Sequence, residues 1–385
     1  MTRRRFYWVL LALVSLVSLL GLAARDDRSG RSRQSQDWEV CIDESFVNIE
    51  RRIEACTSII ETKGETARRL ARAYCSRAGV YDYNGQPDRA IADYDEGVKV
   101  EPDVADQYLC RGNGYSARGE HDRAISDYSR AIGLEPNYGN PYNNRGLAYY
   151  AKRDFDRAIA DFDAAIRREP KPDRYDNRGE AYRAKGDLDR AIAEYDRAIK
   201  LDPEYVRARY GRASAYSLKG DHDHEMADLD EAVRLDPNGG YPFANRGRAH
   251  FYAANFDAAA SDFARAVAAQ PHYTSNAIWL YLSLARLGDQ AAAAELETNA
   301  KELVQTDWSY SIVELFLGHS APETALSAAS GLDQQCEAQF YVGEWHVLHQ
   351  DQRAALQYFE AALDRCAKSY FEYQGARAEL GHLRP

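Results

Sequence analysis

The stretch Asp88-Arg89-Ala90-Ile91-Ala92-Asp93-Tyr94 decides how this sequence is interpreted, because it returns at a fixed interval. Close copies follow at Asp122–Tyr128, Asp156–Phe162 and Asp189–Tyr195, and weaker copies follow at residues 224–229 and 258–263. The interval is 34 residues, with one step of 33. A fixed period of this length predicts one small unit stacked several times, although a chain of 385 residues would otherwise suggest two or three ordinary domains.

Each unit has the residue pattern of two packed antiparallel helices. A small residue at position 8 lets the helices approach closely, and a large side chain at position 24 fills the space between hairpins. A proline closes every unit because proline cannot continue a helix. These prolines are Pro102, Pro136, Pro170, Pro203, Pro237 and Pro271. The pattern resembles the tetratricopeptide repeat (TPR), and this resemblance implies an all-α solenoid of helix-turn-helix units wound as a right-handed superhelix.

The repeat also divides the chain. Six TPR units are predicted over residues 71–273, at 71–104, 105–138, 139–171, 172–205, 206–239 and 240–273. Residues 37–70 are predicted to form an N-terminal helical cap. Degenerate helical hairpins are expected at 274–334, and a last TPR-like hairpin with a capping helix at 335–385. Atypical ends of this kind cover the last apolar face of a stacked array.

Two charged rows run through the six units. Position 7 is always arginine, namely Arg77, Arg111, Arg145, Arg178, Arg212 and Arg246. Position 23 is always acidic, namely Asp93, Asp127, Asp161, Glu194, Asp228 and Asp262. We expect the acid of one repeat to meet the arginine of the next, as exposed ion pairs worth up to about 1 kcal/mol each. Two independently solvated rows are the alternative.

The first 36 residues differ from the rest in polarity and charge. Three arginines (Arg3 to Arg5) precede an uncharged run of 19 residues, 6–24, and a polar linker spans 25–36. This pattern is typical of a secretory signal peptide, and the run is also long enough for a membrane anchor. Residues 1–24 are therefore predicted to be a signal peptide or signal anchor. Both alternatives export the body to the periplasm or cell envelope, and an uncleaved segment would hold it to the membrane through residues 6–24.

The composition argues against nucleic-acid binding and against the familiar catalytic motifs. Residues 1–36 carry a net charge of +5 and the whole chain carries −11, so residues 37–385 carry −16. A body with this charge repels phosphate backbones. The sequence has no G-x-S-x-G elbow, no H-E-x-x-H pair and no phosphate-binding glycine motif. We predict no catalytic residues, no cofactor and no metal site. His222, His224 and Glu225 are expected to form a solvated turn, with Glu225 paired to an arginine such as Arg212.

Six cysteines in an exported body predict three disulfides. Cys336 and Cys366 lie at neighbouring ends of the two helices of the last hairpin, so they should pair. Cys41 and Cys56 would join the helices of the N-terminal cap in the same way. Cys75 and Cys110 occupy positions 5 and 6 of neighbouring first helices and are candidates for a third bond. Free buried thiols are the alternative.

The candidate binding site is the concave face of the array. In TPR proteins positions 2, 5, 9, 12 and 13 of the first helices line this face. The candidate residues at such positions are Asn113, Asn143, Asp176, Glu180, Arg183, Tyr210, Arg248, Phe251 and Tyr252. Their mixture of amides, charges and aromatic rings suits an extended peptide or a partner helix. Simple solvation of the inner face is the alternative.

Residues 240–380 resemble a narrower family. The motifs Asn245-Arg246-Gly247, Trp279–Leu282, Ile312–Gly318 and Phe340–Gly343 occur in the same order in NlpI-type TPR lipoproteins. That resemblance implies a bacterial envelope adaptor of the kind associated with cell-wall hydrolases and a periplasmic protease. This chain departs from the family because it lacks the lipid-bearing cysteine.

The sequence as a whole predicts a non-catalytic scaffold or adaptor in the bacterial cell envelope. Its expected partners are proteins, either envelope enzymes or peptides, and it leaves open whether the chain forms a homodimer. The alternative is a ligand receptor or an enzyme-regulating module that uses the degenerate region around Trp279, Trp308 and Trp345.

Overall fold

A computed structural model describes residues 35–43, 48–366 and 370–384 of the chain. The predicted signal or anchor segment and almost all of the polar linker lie outside these residues. All regular structure in the described ranges is helical. Within the same ranges, each helix is either too short or too polar to cross a membrane. The chain divides into two compact units, unit 1 up to Glu169 and unit 2 from Pro170 onward.

Unit 1 contains the cap and the first three repeats. Its first helix, α1, covers residues 35–42. The helices that follow are α2 (Ile49–Glu61), α3 (Ala67–Tyr83), α4 (Pro87–Val100), α5 (Ala105–Ala117), α6 (His121–Leu134), α7 (Gly139–Ala151) and α8 (Phe155–Arg168). Every predicted repeat in this unit is one antiparallel hairpin, so α3, α5 and α7 are the first helices that carry the inner face.

Unit 2 contains three further repeats and the degenerate end. Its repeats are α9 (Pro172–Lys185) with α10 (Leu188–Leu201), α11 (Val206–Lys219) with α12 (His222–Leu235), and α13 (Gly240–Tyr252) with α14 (Phe256–Ala269). Shorter and irregular helices follow. They are α15 (Thr274–Arg286), α16 (Ala292–Ala300), α17 (Tyr310–Phe316), α18 (Pro322–Ala328), α19 (Leu332–Leu348), α20 (Gln352–Arg365) and α21 (Phe371–Leu383).

The turn inside each repeat depends on one left-handed residue at position 15. This residue is glycine in four repeats, for example Gly119 with φ +74°. Arg153 and Ala254 adopt the same conformation with φ of 60° and 57°. Glycine reaches this region without a steric cost, so the turn is encoded locally by its sequence.

The small residue at position 8 is required by the ring at position 24 of the same repeat. A Cβ atom on Gly146 would lie 2.7 Å from the Phe162 ring, and one on Gly179 would lie 2.8 Å from the Tyr195 ring. Neither distance is tolerable for carbon atoms in a close-packed interior. The two rows are therefore complementary, since each large ring lies directly on a helix backbone.

The arginine row pairs within each repeat, so the expected pairing between repeats is wrong. Arg145 donates from Nε and Nη2 to the two carboxylate oxygens of Asp161, both at 2.7 Å. The same two-oxygen pairing joins Arg77 to Asp93, Arg111 to Asp127, Arg212 to Asp228 and Arg246 to Asp262, and Arg178 donates from both nitrogens to Oε2 of Glu194. The physical reason is that positions 7 and 23 face each other across an antiparallel hairpin.

A further acid at position 25 connects neighbouring repeats through the same arginines. Arg111 Nη1 donates to Asp95 Oδ1 of the preceding repeat at 2.8 Å, and Arg246 Nη1 donates to Asp230 Oδ1 at 2.8 Å. The position-23 acids are also nearly buried, as Asp228 shows with 4% exposure. These are not the solvent-exposed pairs expected from the sequence, and removing one partner would leave a buried charge.

Arginines of the second helices cover the half-buried position-11 tyrosines Tyr149 and Tyr182, whereas Tyr81 is buried and Tyr216 stacks on His224. The Arg157 guanidinium lies 4.5 Å from the centre of the Tyr149 ring, and that of Arg190 lies 4.8 Å from the Tyr182 ring. Such cation–π contacts stabilise a half-buried ring while its edge stays solvated. The tyrosines thus both fill space and bind the arginine of the second helix.

An aromatic cluster around Trp279 forms the core of the degenerate region. The Trp279 side chain is fully buried, and its ring stacks on Phe263 with centroids 5.8 Å apart. Phe251 and Phe340 approach it at 5.0 and 5.4 Å. Trp279 therefore connects the sixth repeat to α19, and its burial removes it from the alternative ligand-receptor site.

The three predicted cysteine pairs are present as disulfides. Cys41 is bonded to Cys56 in the cap, Cys75 to Cys110 between α3 and α5, and Cys336 to Cys366 in the last hairpin. The first and third of these bonds are buried, whereas Cys75 and Cys110 are both partly exposed.

Candidate functional site: the inner faces of the two units

The inner face of unit 1 forms an open groove of about 600 Å³. Residues of α3 and α5 make its floor, and α2 and the ends of α4 and α6 contribute to its walls. The floor includes Val104, Leu109 and the Cys75–Cys110 disulfide. Because these first helices pack side by side, their inner positions form one continuous surface that a peptide could contact.

The walls of this groove carry opposite charges. Arg68 and Arg72 of α3 line the groove and are exposed, whereas Arg52 of α2 is buried and donates from Nε to the Cys41 carbonyl. Asp106 of α5 and Glu135, which follows α6, are exposed in the same groove. Glu101, which follows α4, also lines the groove but is half-buried, so the exposed charges are polarised and would orient a partner whose own charges are separated along its length. Sequence inspection missed this feature, although Arg72 and Asp106 both occupy inner position 2.

Hydrogen bonds hold the inner residues of α5 and α7 in place. Asn113 is exposed in the groove lining, where its Oδ1 accepts from Tyr128 Oη at 2.9 Å and from Asn144 Nδ2 at 2.8 Å. Asn143 is mostly buried and donates to Asn144 Oδ1 at 3.2 Å. Burial, with Asp106 nearby, raises the pKa of Tyr138 to about 12. This part of the groove is fixed before any partner arrives.

The Cys75–Cys110 disulfide should be reduced first. Its sulfur atoms lie in the open groove floor, whereas the other two bonds are shielded. We expect the native protein in dithiothreitol to expose Cys75 and Cys110 to alkylation about tenfold faster than the other four cysteines, because exchange requires access to a sulfur atom. Timed alkylation followed by peptide mass spectrometry measures the rates, and equal rates for all three pairs would contradict this.

In unit 2, Asp176, Glu180 and Arg183 belong to two neighbouring ion pairs, Glu180 with Arg183 and Asp176 with Arg207. Glu180 accepts from Tyr195 Oη and from Arg183 Nη2, both at 2.6 Å. Burial alone would raise the pKa of Glu180, but the charge and hydrogen bond of Arg183 lower it overall. Asp176 is 1% exposed, with Arg207 Nε at 2.9 Å, and burial raises its pKa to about 7. These groups are engaged with each other and build the helix surface.

Phe251 does not line the inner face as predicted. Its ring is fully buried and packs edge-on against Phe256 and Trp279, with centroids 5.1 and 5.0 Å away. The reason is that position 12 of this repeat turns toward the next helix pair, where the aromatic cluster forms.

Three further predicted residues, Tyr210, Arg248 and Tyr252, do lie on the inner face, but α21 covers them. The Arg248 guanidinium lies 3.9 Å from the centre of the Phe371 ring, and Tyr252 Oη donates to the Phe371 carbonyl at 2.8 Å. Tyr210 lines the same small cavity as Phe371. The sequence predicted α21 as an end cap and gave no sign that it would also cover this surface.

The two histidines of the predicted cluster contact different acids. His222 Nδ1 lies 3.0 Å from Glu225 Oε2, and His224 Nδ1 lies 2.9 Å from Asp221 Oδ1. The expected Glu225–Arg212 pair is wrong, because Arg212 is bonded to Asp228 and Asp196. Over residues 35–43, 48–366 and 370–384, no group of three or more His, Cys, Asp or Glu residues is arranged to hold a metal ion.

Comparison with known families agrees with this architecture of stacked helical hairpins. Tetratricopeptide repeat models match residues 71–104, 140–172, 206–238 and 245–308, and TPR repeat models match 112–153 and 179–220. The chain belongs to the tetratricopeptide repeat proteins. Proteins of this family are generally non-catalytic scaffolds that bind peptides or protein partners, so this chain is a protein-interaction scaffold.

Several solved structures are similar to parts of this chain. A tetratricopeptide repeat protein from Parabacteroides merdae is 19% identical, with a TM-score of 0.51 over 65% of this chain and 99% of that protein. MamA is 25% identical, with a TM-score of 0.39 over 42% of this chain and 94% of MamA. YrrB, described as a TPR protein with an unusual peptide-binding site, is 21% identical, with a TM-score of 0.37 over 48% and 95%.

Proposed function

We propose that this chain is an exported adaptor of the bacterial cell envelope that binds a partner protein in the inner groove of unit 1. The observation that carries the proposal is the open, charge-polarised groove between α3 and α5. It combines exposed Arg68 and Arg72 with exposed Asp106 around a partly apolar floor. Mixed apolar and charged surfaces of this kind suit a peptide or a helix, with charge fixing its direction.

Export is supported by three features of the chain. Residues 1–24 have the charge and polarity of a signal peptide or anchor. The described structure holds all six cysteines in disulfides, a state that is rare in a reducing cytosol. The resemblance of residues 240–380 to NlpI-type envelope lipoproteins points to the same compartment.

The partner's orientation follows from the charges. An acidic segment would lie beside Arg68 and Arg72, and a basic segment beside Asp106 and Glu135. A partner with the reverse arrangement would place like charges together, which costs binding free energy. The partner is thus a polypeptide with separated acidic and basic segments, an envelope enzyme or a peptide of one.

Charge reversal in the groove tests this proposal. We expect Arg68→Glu with Arg72→Glu to lower partner recovery from crosslinked envelope fractions about tenfold, because two attractive charges become repulsive. Lys99→Glu with Arg123→Glu is the matched control, since it changes net charge equally at exposed sites on second helices. Both variants should keep the native circular dichroism spectrum at the assay temperature, although the control also loses the Lys99–Glu96 and Arg123–Glu120 ion pairs. Equal recovery by the two variants would sink the groove proposal.

A further inference from the structure

Helix α21 has one face that is part of the packed interior of unit 2. Gly375, Ala376 and Leu380 are buried on this face. A Cβ atom on Gly375 would lie 2.7 Å from the Phe340 ring of α19, so the backbone of α21 rests directly on that ring. Glu379 is 1% exposed and accepts from Arg286 Nη2 of α15 at 2.6 Å. This face performs the capping role expected from the sequence.

A second side of α21 faces the inner surface of the fifth and sixth repeats. Its contacting residues, Phe371, Gln374 and Arg377, recur every three residues and so share one side of the helix. Gln374 Nε2 donates to Ser214 Oγ at 3.3 Å, and Arg377 Nη1 donates to the Leu218 carbonyl at 3.2 Å. Phe371 meets Arg248 and Tyr252, as described above.

The residues that α21 contacts are the partner-binding positions of this repeat type. Ser214 and Leu218 occupy positions 9 and 13 of the fifth repeat, and Arg248 and Tyr252 occupy positions 9 and 13 of the sixth. The helix therefore takes the place that a partner helix would take. It covers the inner face with the Phe371 ring, the Gln374 amide and the Arg377 guanidinium. Its backbone at Gly375 packs against the Tyr252 ring, and a Cβ atom there would lie 3.0 Å from that ring.

This inner contact is looser than the capping contact. A cavity of about 370 Å³ runs beside α21, lined by Ser217, Leu218, His222, Gln374 and Arg377. Phe371 remains 40% exposed, whereas Ala376 and Leu380 on the capping face are 0% and 4% exposed. The cavity is half open to solvent, so along this edge α21 is held to the inner face by separate polar contacts rather than by a continuous packed interface.

We propose that the inner face of the fifth and sixth repeats is a second helix-binding surface, with α21 as its resident occupant. The external partner is an amphipathic helix that presents an aromatic residue, an amide and an arginine at i, i+3 and i+6, and it binds when α21 is displaced. This surface is separate from the unit 1 groove and does not depend on that proposal. Because α21 competes with the partner, the apparent affinity falls with the fraction of chains in which α21 is docked.

A labelled peptide with the sequence of residues 370–384 is the probe. We expect it to bind the full-length chain weakly, and to bind a full-length Phe371→Ala, Arg377→Ala variant about tenfold more tightly, because that variant weakens the resident helix only. Both substituted side chains are exposed, so the variant should keep the native circular dichroism spectrum. Gln374→Ala alone is a milder variant with the same expected direction.

Two controls assign the binding to the inner face. A peptide carrying the same two substitutions should lose affinity for the variant, and adding Arg248→Ala to the variant chain should also abolish binding of the unmodified peptide. Equal affinity for native chain and variant, or binding that ignores Arg248, would overturn the proposal. If the variant doubles in mass without peptide, a second copy of the chain occupies the inner face. That result would overturn the proposal of an external partner helix.

Discussion

Replacing Trp279 with alanine should lower the free energy of unfolding of unit 2 by about 3–5 kcal/mol, the range for deleting a large buried aromatic side chain. The indole is fully buried and contacts rings from three other helices, including Phe251, Phe263 and Phe340. These rings belong to packed helices that cannot all close into the space left behind. Urea unfolding followed by circular dichroism, with hydrogen exchange to localise the change, measures the loss.

Trp308→Ala is the matched control for this prediction. Trp308 is only partly buried at the edge of the same core, so truncating it should cost clearly less. Hydrogen exchange in the unit 2 variants should leave the peptides of unit 1 unchanged. If Trp279→Ala and Trp308→Ala lose equal free energy of unfolding, Trp279 is not the centre of this core.

Replacing Arg286 with methionine should cost about 3–5 kcal/mol, because it removes one partner of a buried ionic cluster. Arg286 Nη2 lies 2.6 Å from both carboxylate oxygens of Glu379, and its Nη1 lies 3.9 Å from Glu344. Glu344 is 0% exposed and Glu379 is 1% exposed. Without the guanidinium, two buried carboxyl groups would remain without a cationic partner, although methionine would keep much of the side-chain packing. An unfolding free energy within about 1 kcal/mol of the native value would contradict this account.

Glu344→Gln separates charge from packing in the same cluster. Burial, reinforced by Glu379, raises the pKa of Glu344 well above its usual range, and Arg286 offsets this only in part. Because its folded-state pKa is raised, the Glu344 carboxyl group contributes most stability at pH values below the ordinary carboxyl pKa of about 4.3. This contribution is lost as the pH rises toward the folded-state pKa. We expect the variant to lose less stability than the native chain between about pH 5 and about pH 8, as measured by urea unfolding. If the native chain and the variant lose the same free energy of unfolding over this pH range, Glu344 is ionised in the folded state.

The repeat itself could be predicted from sequence because its signals are local or strictly periodic. Glycine at position 15 specifies a left-handed turn, and the pairing of a small residue with a ring, as in Gly146 and Phe162, fixes the contact of two helices. The cysteine pairs followed from the same geometry. Cys336 and Cys366 meet because antiparallel helices bring their ends together.

Features that depend on distant parts of the chain escaped prediction. Tyr252 and Phe371 are 119 residues apart, so no periodic signal links them. The orientation of Phe251 depends on the aromatic cluster beyond the last regular repeat. The pairing of Arg145 with Asp161 was misassigned because periodicity alone does not say whether two rows meet within a repeat or between repeats.

The claim that a partner binds in the inner groove of unit 1 is tested most directly by site-specific photo-crosslinking. A photoreactive residue would replace Val104 or Leu109, which line the groove without supplying its charges, or Lys99 or Arg123 on the second helices as controls outside the groove. We predict that the two groove positions form an adduct with one and the same envelope protein, and that the two control positions do not. Adducts of equal yield at the control positions, or adducts only there, would contradict the account.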